Sequence, residues 1–223
     1  MIGKPILFTQ KNRAASVAGT KTQTRRVINL PDGEWIYSDI NDKGDHLFVK
    51  ADWQERSGSI TDHTIIIKAR YSVGEIVWMQ EPYQIQRGHP GDSTDAFRRG
   101  LIGLYLDDGT AFEKEITSAE WNKWVFRKYP SRNTSARFMY KSLTRHFFEI
   151  TGIRVERVQD ISEADAKAEG CQPEDVRCRG LMNSGAWQTF SLYKAGFKSL
   201  WNSINEKRGF GWDTNCWVWV YEY

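Results

Sequence analysis

Gly19-Thr20-Lys21-Thr22-Gln23-Thr24-Arg25-Arg26 decides how this chain is read. It follows a short amphipathic segment, Gln10 to Ala18, whose Ala14, Val17 and Ala18 are placed to face a core. Gly19 is the residue expected where such a helix stops, because glycine takes a left-handed C-cap without strain. An amine, hydroxyls and two guanidinium forks follow at once. Read as charge alone, the run is a solvated basic turn.

Working outward, four further segments matter. They are Val73-Gly74-Glu75-Ile76-Val77-Trp78 with Glu81; Met139 to Arg145; Val155 to Ser162 with Ala168-Glu169-Gly170; and Gly211 to Val220. Together with Gly19-x-Lys21-x-x-Thr24-x-Arg26, entered from Lys4-Pro5-Ile6-Leu7-Phe8, they occur in the order found in ASCH-domain proteins. The chain resembles that branch of the PUA-like folds, in particular its small phage and prophage members. Tyr140 and Lys141 stand where a Pro-Arg pair is usual, Gln80 where an arginine is usual, and Cys216 where a proline is usual. The resemblance covers nearly the whole chain. It implies an α+β fold, a PUA-like mixed β pseudobarrel with flanking helices. A fold does not by itself fix a function.

A chain of 223 residues with 40% hydrophobic content can bury one good core. One domain spanning 1–223 is therefore expected, with insertions at about 29–63 and 84–136. The net charge of +3 permits a nucleic-acid partner without demanding one. No apolar run approaches the ~20 residues that a membrane helix needs. With no charged-then-apolar leader, a cytoplasmic location in a bacterial host is expected, with phage origin implied by the resemblance. Cys171, Cys178 and Cys216 suit a reducing compartment. Cys171 and Cys178, with six residues between them and no paired histidines nearby, do not read as a zinc site. No metal or cofactor is expected. The scattered His46, His63, His89 and His146 read as surface or core residues. Most of the ten tryptophans read as core.

Local patterns give a coarse map. Lys4 to Phe8, Thr22 to Ile28, Thr64 to Lys68 and Glu75 to Met79 read as strands, with a hairpin near Leu47-Phe48-Val49. Arg87 to Gly100 reads as a loop. Leu101–Leu106 and Ala111–Ile116 flank an Asp-Gly turn, a hairpin signal. Glu120 to Tyr129 reads as a short helix, and His146 to Val158 as a long strand bent at Gly152. Ser162-Glu163-Ala164-Asp165 opens a capped helix that ends at Gly170. Trp187, Phe190, Tyr193, Phe197, Leu200, Trp201 and Ile204 form one face of a helix from about 186 to 207. Cys216 to Tyr223 alternates with both faces apolar, which predicts a central strand.

The ASCH family includes small amidohydrolases that remove an acyl group from the exocyclic amine of cytidine. The resemblance implies Thr24 as nucleophile, Lys21 as its base and Glu169 as third member. The chemistry is coherent. A hydroxyl needs a neighbour to take its proton. A lysine does this only when neutral, which burial or nearby cations such as Arg25 and Arg26 favour. Lys21 and Thr24 are three apart, so one helical turn would bring them to one side. Glu81 competes with Glu169 as the site carboxylate, and pocket geometry decides between them.

A second class uses the same residues without chemistry. Lys21, Arg25, Arg26, Lys141 and Arg145 would hold a phosphate backbone, and Trp78, Tyr83 or Tyr140 would stack a base. The partner is then an RNA element or a modified nucleoside. A third class is a metal-independent ribonuclease.

Overall fold

Thr9 and Gly19 bound the first helix, α1 (Gln10–Val17). The Thr9 hydroxyl accepts from the Asn12 amide, and Gly19 follows the C-cap at φ +71°. The buried face of α1 differs from the expected one. It is Asn12, Arg13 and Ser16, while Ala14 and Ala18 are exposed and Val17 is 52% exposed. Arg13 explains the difference. Its guanidinium donates to the Phe8 carbonyl at 2.6 Å and to both carboxylate oxygens of Asp107, so a buried charge is satisfied on that face.

This computed structural model describes residues 2–41, 45–54, 59–90, 98–117, 133–179 and 187–223. It is mixed α+β, mostly strands in several sheets with a few helices, and no closed barrel forms among the described residues. The chain divides into two units, Met1–Gly19 with Glu75–Glu149 and Thr20–Gly74 with Ile150–Tyr223. Residues 29–63 supply much of a three-stranded sheet of the second unit, and residues 84–136 supply a meander of the first.

In the first unit, β1 (Ile2–Leu7) runs parallel to β6 (Ile76–Gln80), which pairs antiparallel with β11 (Phe147–Glu149). A second sheet has the order β10 (Asn133–Thr134), β7 (Tyr83–Pro90), β8 (Arg98–Tyr105) and β9 (Ala111–Thr117). The Asp-Gly hairpin is present as β8–β9, with Gly109 at φ +72°. The loop expected at 87–100 is corrected at its two ends, where β7 reaches Pro90 and β8 starts at Arg98, paired from Arg87–Ile102 to Pro90–Arg99; its centre, 91–97, lies outside the described residues. Backbone pairing there overrides a polar, Gly-rich composition. Tyr83, Ile85, Tyr105, Phe112, Met139 and Leu143 form this unit's buried cluster.

The second unit is built on β15 (Trp217–Glu222), which lies between β12 (Gly152–Arg157) and β2 (Gln23–Val27). A strand with two apolar faces needs cover on both. On one face Val218 and Val220 join Ala166 from α2 (Glu163–Ala168), Phe197 and Trp201 from α3 (Tyr193–Asn205), and Val158 and Trp212 from two 3-10 turns. On the other, Trp217 and Trp219 meet β3 (Ile36–Ile40) and β4 (His46–Gln54), which pairs in turn with β5 (Ser59–Ile67). Phe48 lies 5.8 Å from Trp217 and His46 4.5 Å from Trp219, ring centre to ring centre.

Two further expectations are corrected. The strand expected over 146–158 is two strands, β11 and β12, in different sheets, because Thr151 turns to donate to the Glu222 carbonyl. The helix expected from 186 begins only at Tyr193; Trp187–Leu192 is β14, paired with β13 (Glu174–Arg179). The Glu163 carboxylate accepts from the Tyr193 and Lys194 amides at 2.7 and 3.2 Å, which satisfies helix-start donors at that position. The helix expected at 120–129, with Trp121 and Trp124, lies outside the described residues.

Candidate functional site

Lys21 is joined to Glu169 by an isolated β-bridge, just before β2 begins. The Thr22 amide donates to the Ala168 carbonyl at 2.8 Å, so the backbone entering β2 is sewn to the end of α2. Both ends of α2 are built as the sequence implied. Ser162 caps α2 by accepting from the Asp165 amide, and Gly170 takes φ +76° directly after Glu169. A residue with a Cβ would be strained at 170. The left-handed turn therefore fixes where Glu169 sits.

The Lys21 side chain is fully buried. Its Nζ donates to Glu169 Oε2 at 2.5 Å, to the Glu169 carbonyl at 3.0 Å and to the Gln23 carbonyl at 2.7 Å. Burial lowers the Lys21 pKa below its ordinary 10.5, and the Arg26 charge lowers it further. Glu169, by charge and hydrogen bond, and Cys171 oppose the shift. The net direction is down, towards a lysine that can give up its proton.

The other oxygen of Glu169, Oε1, accepts from Arg25 at 3.1 Å. Arg25 has no exposed side-chain surface and lies 5.7 Å from the Phe197 ring centre. Its remaining donors go to Glu156, and Asp165 stands 3.4 Å away. The sequence offers both Arg25 and Arg26 as cations that would depress the lysine. Arg26 lowers the Lys21 pKa directly, while Arg25 is paired with the carboxylates of Glu156 and Glu169.

Thr24 is buried on β2, opposite Tyr221 in the β15 register. The stretch is extended, which corrects the helical turn expected between Lys21 and Thr24. Strand alternation places Thr24 on the face of Arg26, away from that of Gln23 and Arg25. Arg26 couples electrostatically to Lys21. It also acts on Tyr221, whose pKa burial pushes up to about 12. The Lys21 amine itself bonds to Gln23 and Glu169.

The remaining sequence candidates belong to the first unit. Glu81, 2% exposed, is held by Arg145 through Nε at 3.0 Å and a second nitrogen at 2.8 Å. Arg145 also donates to Asp108 at 2.8 Å and stacks 4.0 Å over the Tyr105 ring. These bonds to Glu81 and Asp108 raise its pKa, so it is a fixed cation. Trp78 is buried on β6 opposite Phe147, and Lys141 is exposed in a 3-10 turn (Lys141–Leu143). Glu169 is therefore the carboxylate bonded to Lys21, while Glu81 is engaged by Arg145.

Sequence reasoning missed the groups behind Arg25. Arg154 and Glu156 on β12, and Gln23 and Arg25 on β2, share one face of the sheet at two-residue spacing. That spacing was the available signal. Among the described residues, no group of three or more His, Cys, Asp or Glu is arranged to hold a metal ion, and no helix is long and apolar enough to cross a membrane. No protein-family model, curated protein or solved structure matches the chain.

Proposed function

We propose that this is an ASCH-type, PUA-like protein that binds a nucleoside or RNA element and hydrolyses an acyl group from a modified base amine, an N4-acetylcytidine-like substrate. The observation that carries this reading is the buried Lys21–Glu169 pair, 2.5 Å apart, with the lysine pKa lowered by burial. Burying a lysine is costly, and perturbed ionisable groups concentrate at functional sites.

In this reading Lys21, once neutral, takes the proton of the Thr24 hydroxyl as Oγ1 attacks the acyl carbonyl. The C–N bond to the base breaks, and the proton passes to the leaving amine. Water then cleaves the Thr24 ester, releasing the carboxylic acid and regenerating the hydroxyl. Glu169 orients the lysine, and Arg26 disfavours its charged form.

The test is turnover of acetylated cytidine to cytidine and acetate. Lys21→Ala abolishes it. Lys21→Arg abolishes it as well, because a guanidinium does not give up its proton near neutral pH. Inactivity of the wild type over a panel of acylated nucleosides would end the hydrolase reading.

One observation favours a second reading, a non-catalytic binding module. Lys21 donates to three acceptors, the arrangement of a resting ammonium. RNA affinity without turnover, weakening with salt, would select it.

A further inference from the structure

We propose that Arg25, with Glu156 and Asp165 behind it, is the positioning residue that sets how strongly Glu169 holds the Lys21 proton. This rests on Lys21 acting as the base.

Glu169 is divided between two cations, with Oε2 on Lys21 at 2.5 Å and Oε1 on Arg25 at 3.1 Å. Arg25 is in turn divided between two sides. One nitrogen faces Glu169; Nε, at 2.7 Å, and the third nitrogen face Glu156. Arg154 on β12 holds the far groups in place, meeting Glu156 at 3.2 Å and Asp165 at 3.1 Å, and it also bonds Glu222. Gln23 Nε2 fixes Asp165 through its carbonyl at 2.7 Å and its carboxylate at 3.0 Å. The same Gln23 presents its own carbonyl to Lys21. The Arg25 guanidinium is planar, buried and cannot release its proton, so it transmits charge along a fixed line.

Among the described residues, the charged and titratable groups around this line come from several neighbouring elements. From β2 they are Arg25 and Arg26, and from α2 and the turn after it Asp165, Glu169 and Cys171. From β12 they are Arg154 and Glu156, and from β15 Glu222. Neutralising Glu156 leaves the positive charge of Arg25 less compensated. The field at Lys21 becomes more positive and the ammonium less favoured. Neutralising Arg25 does the reverse. A residue that only supports the fold would not give opposite signs.

The experiment compares Glu156→Gln, Asp165→Asn and Arg25→Gln with wild type in two readouts. The first is the titration of Lys21 Nζ, followed by NMR of 15N-lysine-labelled protein. The second is the pH profile of kcat/KM on acetylated cytidine. Glu156→Gln lowers the pH at which Lys21 titrates and raises the rate on the rising limb roughly threefold, with the plateau unchanged. Asp165→Asn shifts both in the same direction by less, since Asp165 is further from Arg25. Arg25→Gln, where it folds, shifts both the opposite way. A Lys21 titration that stays at the wild-type position in Glu156→Gln overturns the proposal, whatever the activity. If the titration moves as stated but no acylated nucleoside is turned over, the positioning role of Arg25 stands and the hydrolase reading falls.

Discussion

Lys21 Nζ lies 2.5 Å from Glu169 Oε2, with side-chain exposures of 0% and 5%. Such a pair is expensive to assemble and more expensive to break, because removing one partner strands the other charge away from water.

Glu169→Gln is therefore expected to cost about 3–5 kcal/mol of folding stability near neutral pH. The sign of the pH dependence follows from Lys21. Its folded pKa is below the unfolded 10.5, so between those values the unfolded chain binds more protons and stability rises with pH. Glu169 opposes the lowering, so its removal extends this window to lower pH. Urea unfolding of wild type and variant between about pH 7 and 10 measures both effects. Equal stability with parallel pH dependence would show that the pair is not a buried charge pair in solution.

His46 gives a second pH dependence in the acid range. It is 4% exposed, edge-on to Trp219, with Nδ1 3.2 Å from the Tyr37 hydroxyl. Burial lowers its pKa below 6.5, against the pull of Asp45. The folded protein thus binds fewer protons than the unfolded chain just below pH 6.5, and stability falls as pH drops through that window. His46→Gln, which cannot titrate, should flatten the decline. Thermal melts across about pH 5 to 7 test this, and an unchanged slope in the variant would remove His46 as the cause.

Gly196 and Gly19 separate two reasons for glycine. A Cβ at Gly196 would sit 1.9 Å from the Gln172 carbonyl oxygen, a backbone atom that cannot swing aside. Gly196→Ala should cost about 2 kcal/mol or more, although alanine is the better helix former by about 1 kcal/mol. Gly19 has open space around it and only its φ of +71° to protect, so Gly19→Ala should cost about 1 kcal/mol. Melting temperatures report the ranking, at about 2–4 °C per kcal/mol for this chain length. Gly19→Ala proving the more harmful would invert the argument.

The elements legible in the sequence are those whose signals are local. Gly19 and Gly170 mark helix ends because only their own φ is at issue, and Ser162 caps α2 through an amide three residues on. The alternation from Trp217 to Tyr221 announced a strand covered on both faces. The sequence carries Lys21, Thr24 and Glu169, and it was the resemblance, not their spacing, that singled them out as a site.

Tertiary structure decided whatever depended on a distant partner. Trp187 to Leu192 fits a helical apolar stripe as well as a strand, and pairing with β13 settled it. The buried side of α1 went to Arg13 because Asp107, far along the chain, accepts its charge. Arg25 and Arg26 are adjacent in sequence and alike in chemistry. Strand alternation sends one to Glu156 and Glu169 and the other to the Thr24 face. The sequence determined which ionisable groups this protein carries and where its helices can stop. Only the fold decided which charges meet, because Coulomb energy and desolvation depend on distance and burial, and neither is written in the order of residues.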